Sequence, residues 1–463
     1  MTAIAVPGQA ADDVERRNPW RWFEAGVALL AALPTLAGAA RGAGLSVDDW
    51  AFAAHSRYES FLHAYGTQTR SRPIEGLWNW AEFKLLGTHP VPHLLVLAAV
   101  NAAAAVLLFR LLDRWLPRRI AVLTTLVWVA LPNRGSTHFW LTNSPHVFSV
   151  VLMLAAVLVV SREPFTVRRF ATAVGLLVLA TFAYEGALCL GALALVLIVW
   201  HEAAPAVRLR LCVIALAVLG AAGLWTLITS PKLNASPTPF RNASHLIAGH
   251  FGEGVMPAAP LVVGALALLV TAWSIATLVL PSFPSRIEER LVIVGLVALI
   301  LGALPFLAGG FPFATDGLFD RGHLFADLGT AVFYGAALSM LWRLPSPSAA
   351  TVLAGAAVIA LAVPGVSDLN NFVRTQRDGR RFLAAIDELP APLRTKGPIT
   401  FLPLPNRGGV SEFVADYDIS AALALRYHTG WPYPRAQMEL VETGFKKVKG
   451  PTYELVGRHL VRR

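Results

Sequence analysis

The stretch Ser46-Val47-Asp48-Asp49-Trp50 is a polar island between two apolar segments, 23–40 and 92–112. Each flanking segment is close to the roughly 20 apolar residues that a helix needs to cross a bilayer. Two adjacent carboxylates therefore follow directly after a membrane span. The loop that holds them, residues 41–89, also carries Trp50, Trp78, Trp80, Arg57, Arg70 and Arg72. Solubility alone does not require this combination, and we predict that the loop forms the floor of a functional site at one membrane face.

The composition is that of a polytopic membrane protein. Of the 463 residues, 55% are hydrophobic and 15% are charged, whereas soluble domains carry roughly 25% charged residues. The formal net charge is +10. The arginines of the chain are spread over short loops, which indicates loops that follow the positive-inside rule. The absence of a cluster on one polar face argues against a nucleic-acid partner. Cys189 and Cys212 lie in apolar runs without metal-ligand spacing, which favours a packing role.

Hydropathy predicts an all-α membrane domain with about eleven transmembrane helices. The segments are 23–40, 92–112, 120–132, 145–160, 170–183, 186–200, 211–229, 259–280, 291–307, 325–341 and 349–363. The fifth and sixth form one apolar run that is interrupted by Tyr184-Glu185, where we predict a turn between two short helices.

Basic residues in the connecting loops fix the predicted orientation. They are Arg114, Arg118, Arg119, Arg162, Arg168, Arg169, Arg208, Arg210, Arg286, Arg290 and Arg343. All lie on one side if the N-terminus is inside, in agreement with the positive-inside rule. We therefore expect a multi-pass protein of a bacterial plasma membrane, the bacterial source being suggested by the abundance of Ala, Gly and Arg. The expected regions are a cytoplasmic N-terminus (1–22), a membrane domain (23–366) and an extracytoplasmic tail (367–463).

The tail differs in character from the membrane domain. Helical periodicity covers 372–389 and 419–427, and a strand pattern covers 398–403. These elements predict a small extracytoplasmic α/β domain.

The acid pair Asp48-Asp49 allows two interpretations. One carboxylate beside another raises a pKa, and a raised pKa suits a general base. Alternatively, Ser46 or Asp48 caps an interfacial helix over 49–65, with the acids at its positive N-terminus. The two interpretations are compatible with each other.

Arg72-Pro73 and Glu185 are further candidate functional residues. Arginine binds phosphate through two parallel hydrogen bonds, although arginines at a membrane surface also extend to water without a specific role. Glu185 lies at or near membrane depth, where an ionisable group is costly and marks a functional site. Pairing with a backbone amide or with Arg134 would give it a structural role instead.

The order of several short motifs resembles the glycosyltransferases of the C-type membrane fold, the GT-C superfamily. The motifs are Arg72-Pro73-Ile74, Asn79, Leu86-Gly87-Thr88-His89-Pro90-Val91-Pro92-His93 and Asn101. They follow an acidic pair in the first outer loop, as in O-mannosyltransferases with tetratricopeptide repeats and in bacterial polyprenyl-phosphate-sugar transferases. The resemblance implies that residues 23–366 form a GT-C-like domain with 41–89 as its catalytic loop.

The resemblance also implies roles for individual residues. Asp48, with Asp49, would deprotonate the acceptor, and Arg72 would hold the donor phosphate. Phe319-Asp320-Arg321 resembles the entry to a late span, which adds Arg321 to the phosphate site, with His323 near the place of the family's tyrosine. The remaining candidates would line the acceptor cavity: Trp50, Arg134, His138, Tyr184 and Glu185. The histidines lack metal-site spacing, so no metal ligands are predicted, although a divalent metal remains possible.

The function implied is transfer of a sugar from a polyprenyl-phosphate donor to a glycan, lipid or protein acceptor outside the cytoplasm. The bilayer would deliver the donor, consistent with a chain that shows no glycine-rich phosphate loop. A transporter or flippase of a lipid-linked sugar is an alternative, but it should show repeats or polar residues along a full path. A non-catalytic glycan-binding membrane protein is a third possibility.

Overall fold

The structure is a computed structural model that describes residues 18–64, 70–132, 134–229, 239–252, 259–279, 286–308 and 317–390. In the tail it describes 399–402, 404, 407, 410–413, 416–429, 436–438, 452–456 and 459–462. Most of the predicted cytoplasmic N-terminus lies outside these ranges, as do Asn133 and several stretches of the predicted outer loops.

The described chain is mostly helical, and every predicted span contains a helix. These helices are α1 (Asn18–Ala40), α5 (Pro90–Trp115), α6 (Arg118–Ala130), α8 (Ser144–Val160), α9 (Val167–Ala183), α10 (Ala187–Glu202), α11 (Pro205–Thr229), α13 (Pro260–Val279), α14 (Ile287–Ala308), α15 (Ala326–Ser339) and α16 (Pro347–Ile386). Four shorter helices connect them: α2 (Asp48–Tyr58), α3 (Phe61–Ala64), α4 (Pro73–Leu86) and α7 (Gly135–Phe139). Helix α12 (Pro239–Phe251) precedes α13.

Seven helices in the described portion of the chain are long and apolar enough to cross a membrane. They contain Arg21–Ala40, Pro90–Trp115, Leu141–Val160, Pro205–Thr229, Pro260–Val279, Ile287–Leu307 and Pro347–Ile386. Helices α6, α9, α10 and α15 are shorter than this. The chain is thus a multi-pass membrane protein, and the predicted count of eleven stays a prediction.

The turn predicted at Tyr184-Glu185 is present between α9 and α10. Tyr184 ends α9 in an extended conformation, with φ −162° and ψ 123°. The apolar run therefore forms two helices, and Glu185 is brought to the same end of the bundle as loop 41–89.

The predicted helix over 49–65 is divided into α2 and α3, and its cap differs from both expected forms. Val47 is the N-cap of α2, and its side chain makes no capping bond. The carboxylate of Asp49 instead accepts a hydrogen bond from the backbone N–H of Ser46 at 2.9 Å. Val47 has φ 48° and ψ −127°, a conformation that a β-branched residue adopts only under strain.

Helix α16 is 40 residues long and runs from the membrane domain into the tail. The predicted boundary at 366/367 falls inside it, and the predicted helix 372–389 overlaps its C-terminal end. Pro364 lies inside the helix. Membrane helices accommodate an internal proline because neighbouring groups satisfy the freed carbonyl, so a proline here does not end the helix.

The tail contains the predicted α/β elements. Strand β1 (Ile399–Phe401) lies within the predicted strand, and α17 (Asp416–Tyr427) covers the predicted second helix. Strands β2 (Ala436–Met438), β3 (Thr452–Val456) and β4 (His459–Arg462) complete a sheet of order β2-β1-β3-β4. Strand β1 is parallel to both neighbours, and β3 and β4 are antiparallel.

The tail packs directly on loop 41–89. The end of α16 and α17 bury an apolar core against β1, formed by Phe382, Ile386, Phe401, Phe413 and Ile419 among others. A second apolar cluster joins Leu45 and Ala54 of the loop to Val373 and Ala421. The hydroxyl of Tyr58 donates to the carbonyl of Ala424 at 2.9 Å. Loop 41–89 is therefore held between the membrane helices and the tail.

Candidate active site

Asp49 lies at the centre of the folded loop and is fully buried. Besides Ser46, the backbone N–H of Thr142 donates to its other oxygen at 2.9 Å. Burial raises the pKa of Asp49 to about 7, although these two hydrogen bonds act in the opposite direction. A raised pKa was predicted for the acid pair, but its cause is burial and not the neighbouring Asp48. Asp49 thereby joins α2 to the segment that follows α7.

Asp48 is the first residue of α2 and is only partly buried. Both oxygens of Asp49 accept backbone N–H groups in a closed environment, so Asp48 is the more exposed member of the pair. Its role as a base stays a prediction, as does that of Asp49.

The tail holds the loop through two buried residues, one acting through its side chain and the other through its backbone carbonyl. The amide of Gln376, on α16, forms two hydrogen bonds with the backbone of Gly44, one from N–H and one to C=O, each at 2.9 Å. The backbone carbonyl of Glu412 accepts from the N–H of Val47 at 2.8 Å. We call Gln376 and Glu412 the tail clamp. The clamp fixes the strained backbone on the N-terminal side of Asp48.

Trp50 belongs to the same contact. Its Nε1 donates to Oε1 of Glu412 at 3.3 Å, and its ring packs near Phe413 with 6.4 Å between ring centroids. Burial raises the pKa of Glu412 well above its ordinary range, an effect that the charges of Asp49 and Asp418 increase. Trp50, predicted to line the acceptor cavity, thus lies against the tail.

Arg72 and Glu185 form an ion pair through two hydrogen bonds. Nε of Arg72 lies 2.7 Å from Oε2 of Glu185, and Nη2 lies 2.5 Å from Oε1. Nη1 donates to Glu75 at 3.2 Å. The pairing of Glu185 with Arg134, one of the alternatives, is therefore wrong. Arg72 also lies 4.8 Å from the ring centroid of Tyr184, so two predicted site residues meet at this arginine.

Glu75 and His146 extend this group of charges. Nε2 of His146 lies 3.2 Å from Oε1 of Glu75. Burial raises the pKa of Glu75, but the charges of Arg72 and His146, together with that of Arg321, more than offset it and bring the pKa to about 2. Glu75 is therefore ionised at neutral pH. It was not among the predicted site residues, although its position three residues after Arg72 would bring the two side chains together on a helix.

Tyr184 is fully buried and stacks on His146, with ring centroids 3.9 Å apart. Phe306 and Phe325 contact its ring from the other helices, at 5.2 and 6.2 Å. Its hydroxyl has no hydrogen-bond partner among the residues that the structure describes. Burial raises its pKa, so the phenol stays protonated. A buried protonated hydroxyl beside Arg72 is available to donate to a ligand.

Arg321 approaches the same group from the segment before α15. Its guanidinium carbon lies 4.5 Å from the ring centroid of Trp140, and its charge acts on both Glu75 and Tyr184. The neighbouring Asp320 is fully buried and accepts hydrogen bonds from the N–H and the hydroxyl of Ser136. Asp320 anchors Arg321 to α7.

Arg134 and His138 have mainly structural contacts. Nη1 and Nη2 of Arg134 donate to the carbonyl of Trp128 at 3.0 Å and to Asn101 at 2.8 Å, and its guanidinium stacks on Trp128 at 3.8 Å. Burial lowers its pKa to about 10, so it remains cationic at neutral pH. Nδ1 of His138 lies 3.3 Å from the hydroxyl of Thr35. Burial and the charge of Arg134 lower the pKa of His138 well below its ordinary range, so its ring is neutral.

His323 is placed by a second histidine. Its Nδ1 lies 3.0 Å from Nε2 of His250, whose Nδ1 lies 2.8 Å from the hydroxyl of Thr330. Within the described residues, no group of three or more His, Cys, Asp or Glu could hold a metal ion. The divalent metal stays a prediction.

No protein-family model matches the chain, and no curated protein matches it. Among solved structures, the archaeal oligosaccharyltransferase AglB from Archaeoglobus fulgidus, in complex with an inhibitory peptide and a dolichol-phosphate, is similar. The TM-score is 0.43 and the sequence identity 11%, over 90% of this chain and 65% of that chain. The chain thus spans about two thirds of the length of that AglB chain.

Proposed function

We propose that this protein is a membrane glycosyltransferase that moves a sugar from a polyprenyl-phosphate donor to an acceptor hydroxyl. The observation that carries the proposal is the segment from Arg134 to His146. In that segment Thr142 binds Asp49, Trp140 lies under Arg321, and His146 contacts Glu75. One short stretch therefore connects the acid pair to both candidate phosphate ligands.

In the proposed transfer, the acid pair acts on the acceptor and the two arginines act on the leaving phosphate. Asp48 takes the proton of the acceptor hydroxyl as its oxygen bonds to the anomeric carbon of the sugar. The bond from that carbon to the phosphate oxygen breaks, and polyprenyl phosphate leaves with one more negative charge. Guanidinium groups aimed at this oxygen stabilise the transition state more than the ground state, because the charge develops during the reaction.

Arg72 needs a rearrangement to contribute. Nε and Nη2 are engaged by Glu185 and Nη1 by Glu75, and in our proposal the phosphate displaces Glu185 from the face that it occupies. The side chains of Arg72 and Glu185 are 24% and 21% exposed, which leaves this pair accessible to a ligand. Arg321, stacked on Trp140, supplies the second positive charge, and the hydroxyl of Tyr184 supplies a neutral donor.

In our proposal this site lies on the outer face of the membrane, which is the face that the distribution of basic loops predicts. A donor with a lipid tail reaches such a site from within the bilayer, and the acceptor, a glycan, lipid or protein, reaches it from outside the cytoplasm. His323, paired with His250, would act by supporting the position of Arg321.

The proposal is tested by incubating the purified protein with a panel of polyprenyl-phosphate sugars and following free polyprenyl phosphate by mass spectrometry. We expect release with at least one donor, and loss of release in Asp48→Asn. The matched control is Asp113→Asn, which removes a carboxylate whose partner is Arg118, on the opposite predicted face. Movement of an intact lipid-linked sugar between leaflets of a vesicle, without release, would overturn the proposal in favour of a flippase.

A further inference from the structure

A row of arginines lies on the part of α16 that extends beyond the membrane. Arg374, Arg377 and Arg380 are exposed and are three residues apart, so they share one side of the helix. We call these three residues the basic face. None of them forms an ion pair or a side-chain hydrogen bond with a residue in the described part of the chain. The positive-inside rule explains Arg343, before the start of α16, but not arginines at the opposite membrane face.

The acid on this side of α16 is already shared by two other arginines. Asp378 accepts a hydrogen bond from Nη2 of Arg407 at 2.8 Å and one from Nη1 of Arg381 at 3.4 Å. One carboxylate therefore faces two guanidinium groups, and this group of three side chains has a net positive charge of its own. It adds to the charge of the basic face and does not neutralise it.

Two further charges act on Arg380. The charge of Arg377 repels it, whereas that of Glu412 attracts it. The carboxyl group of Glu412 is buried and accepts from Nε1 of Trp50, and its raised pKa reduces its charge at neutral pH. Within the described residues, the water-facing side of α16 thus carries an excess of positive charge.

Most of the basic face lies above the lipid head groups. No charged residue occurs between Arg343 and Asp368, and about 20 helical residues cross the hydrocarbon layer, so this layer ends near Asp368. At about 1.5 Å per residue, Arg377 and Arg380 lie about 14 and 18 Å farther along the helix. The head-group region on each side of a bilayer is only about 5–8 Å thick. The partner of the basic face is therefore an anion in water and not a lipid phosphate.

One end of the basic face lies on the loop that carries Asp48. A Cβ added at Gly44 would lie 2.7 Å from Nη1 of Arg380, and one added at Gly42 would lie 3.8 Å from Nη2. Glycine at these positions lets the guanidinium group lie close to the backbone. Gly44 is four residues before Asp48. A ligand on the basic face is therefore next to the backbone that leads to the proposed base.

We propose that the basic face binds an anionic glycan and holds it as the acceptor of the proposed transfer. Arginine binds carboxylate and phosphate groups through parallel hydrogen bonds. Successive arginines of the basic face rise by about 4.5 Å along the helix, which suits a chain with repeated charges. A glycan also supplies the hydroxyl group on which Asp48 would act. The acceptor role rests on the proposed function, whereas binding to the basic face needs no donor.

The experiment measures binding of a short oligogalacturonate to the full-length protein in phosphatidylcholine nanodiscs, without donor. This probe carries one carboxylate per sugar. The same oligosaccharide with its carboxyl groups reduced to alcohols is the neutral control. We expect the acidic probe to bind at least about tenfold more tightly than the neutral probe, and to bind more weakly as salt screens the exposed charges. Equal binding of the two probes would overturn the proposal.

Matched variants separate the basic face from net charge. The basic-face variant replaces its three arginines with glutamine, which keeps good helix formers. The control variant makes the same change at three exposed arginines of the predicted inner loops, Arg114, Arg168 and Arg210. We expect the basic-face variant to bind the acidic probe at least about tenfold more weakly, and the control to stay within about twofold of the wild type. Equal weakening in two variants with the unfolding temperature of the wild type would overturn the assigned surface.

Turnover separates this inference from the proposed function. With a polyprenyl-phosphate sugar as donor, the basic-face variant should raise the KM for an acidic acceptor more than it lowers kcat. Transfer to the reduced probe with the same KM as to the acidic probe would overturn the anionic acceptor and leave the proposed function intact. Binding of the acidic probe without transfer to any acceptor would reject the proposed function, and with it the acceptor role, but not the binding surface.

Discussion

Arg72 and Glu185 are 113 residues apart in the chain, yet their side chains meet through two hydrogen bonds of 2.7 and 2.5 Å. In the proposed reaction the leaving phosphate competes with Glu185 for Arg72. Glu185→Gln should therefore strengthen binding of polyprenyl phosphate, measured as product inhibition, by about tenfold or more. A charge-assisted hydrogen bond contributes about 1.5–3 kcal/mol and no longer has to be broken.

Arg72→Lys should have the opposite effect, because lysine keeps the charge but lacks the planar fork. We expect it to lower kcat more than it weakens donor binding. Arg118→Lys, at an exposed pair with Asp113, is the control. Weaker product binding in Glu185→Gln would contradict a role for Arg72 in holding phosphate.

Asp48→Asn tests the proposed base. The amide keeps the size of the side chain but cannot take the proton, and turnover should fall about a hundredfold or more. Unfolding should occur at nearly the same temperature as in the wild type. Near-normal turnover in a well-folded variant would show that Asp48 has only a structural role, as the first residue of α2.

Asp49 should make stability depend on pH. Burial raises its pKa to about 7 in the folded protein, so between about pH 4 and 7 the folded protein holds a proton that the unfolded chain has lost. Its contribution to stability is therefore full below about pH 4, falls as pH rises to about 7 and is then constant. The loss is on the order of 4 kcal/mol.

Asp49→Asn does not titrate, so the stability of the wild type relative to this variant should fall as pH rises from about 4.5 to about 7.5. Unfolding followed by tryptophan fluorescence across this range measures the difference. Glu412, which also has a raised pKa, is present in both proteins. A constant difference between them would show that Asp49 is ionised throughout.

We expect the tail to contribute to turnover, because the tail clamp holds the backbone on the N-terminal side of Asp48. Gln376→Ala leaves both the N–H and the C=O of Gly44 without their partner in a buried setting, at a cost of about 1–3 kcal/mol each. We expect a lower unfolding temperature and reduced turnover. Thr351→Ala, an exposed change on the same helix that removes only a bond to Pro347, should alter neither. Normal turnover in Gln376→Ala would separate the tail from the active site.

The predicted orientation is tested by cysteine labelling. With Cys189 and Cys212 replaced by alanine, Val456→Cys in the tail should react with an impermeant maleimide in intact cells. Arg162→Cys, in a predicted inner loop, should react only after lysis. Both positions are exposed. The reverse pattern would place the proposed site in the cytoplasm.

Local patterns predicted the helices well. The apolar runs of the eleven predicted spans all contain helices, and Tyr184-Glu185 divides two of them, because a charged group at membrane depth interrupts a hydrocarbon-facing helix. The continuity of α16 was missed. Pro364-Gly365 is typical of a helix end in water, but the membrane environment tolerates it.

The site was predicted only partially, because its contacts are between distant segments. The group around Arg72 combines residues from loop 41–89, α8 and the turn at Tyr184, and hydropathy contains no information about such pairing. No sequence motif marks Glu75 or the two residues of the tail clamp. Strands β2 to β4 are three to five residues long, too short for a clear alternation of polar and apolar residues.

Helix α16 has a mechanical consequence. At about 1.5 Å per residue its 40 residues span about 60 Å, twice the roughly 30 Å of the hydrocarbon layer. Its membrane portion tilts when bilayer thickness changes, and a continuous helix transmits that tilt beyond the membrane. Gln376, which binds Gly44, lies on the transmitting portion. A tilt of α16 would therefore move Gln376 and, through it, the backbone of Gly44 on the N-terminal side of Asp48.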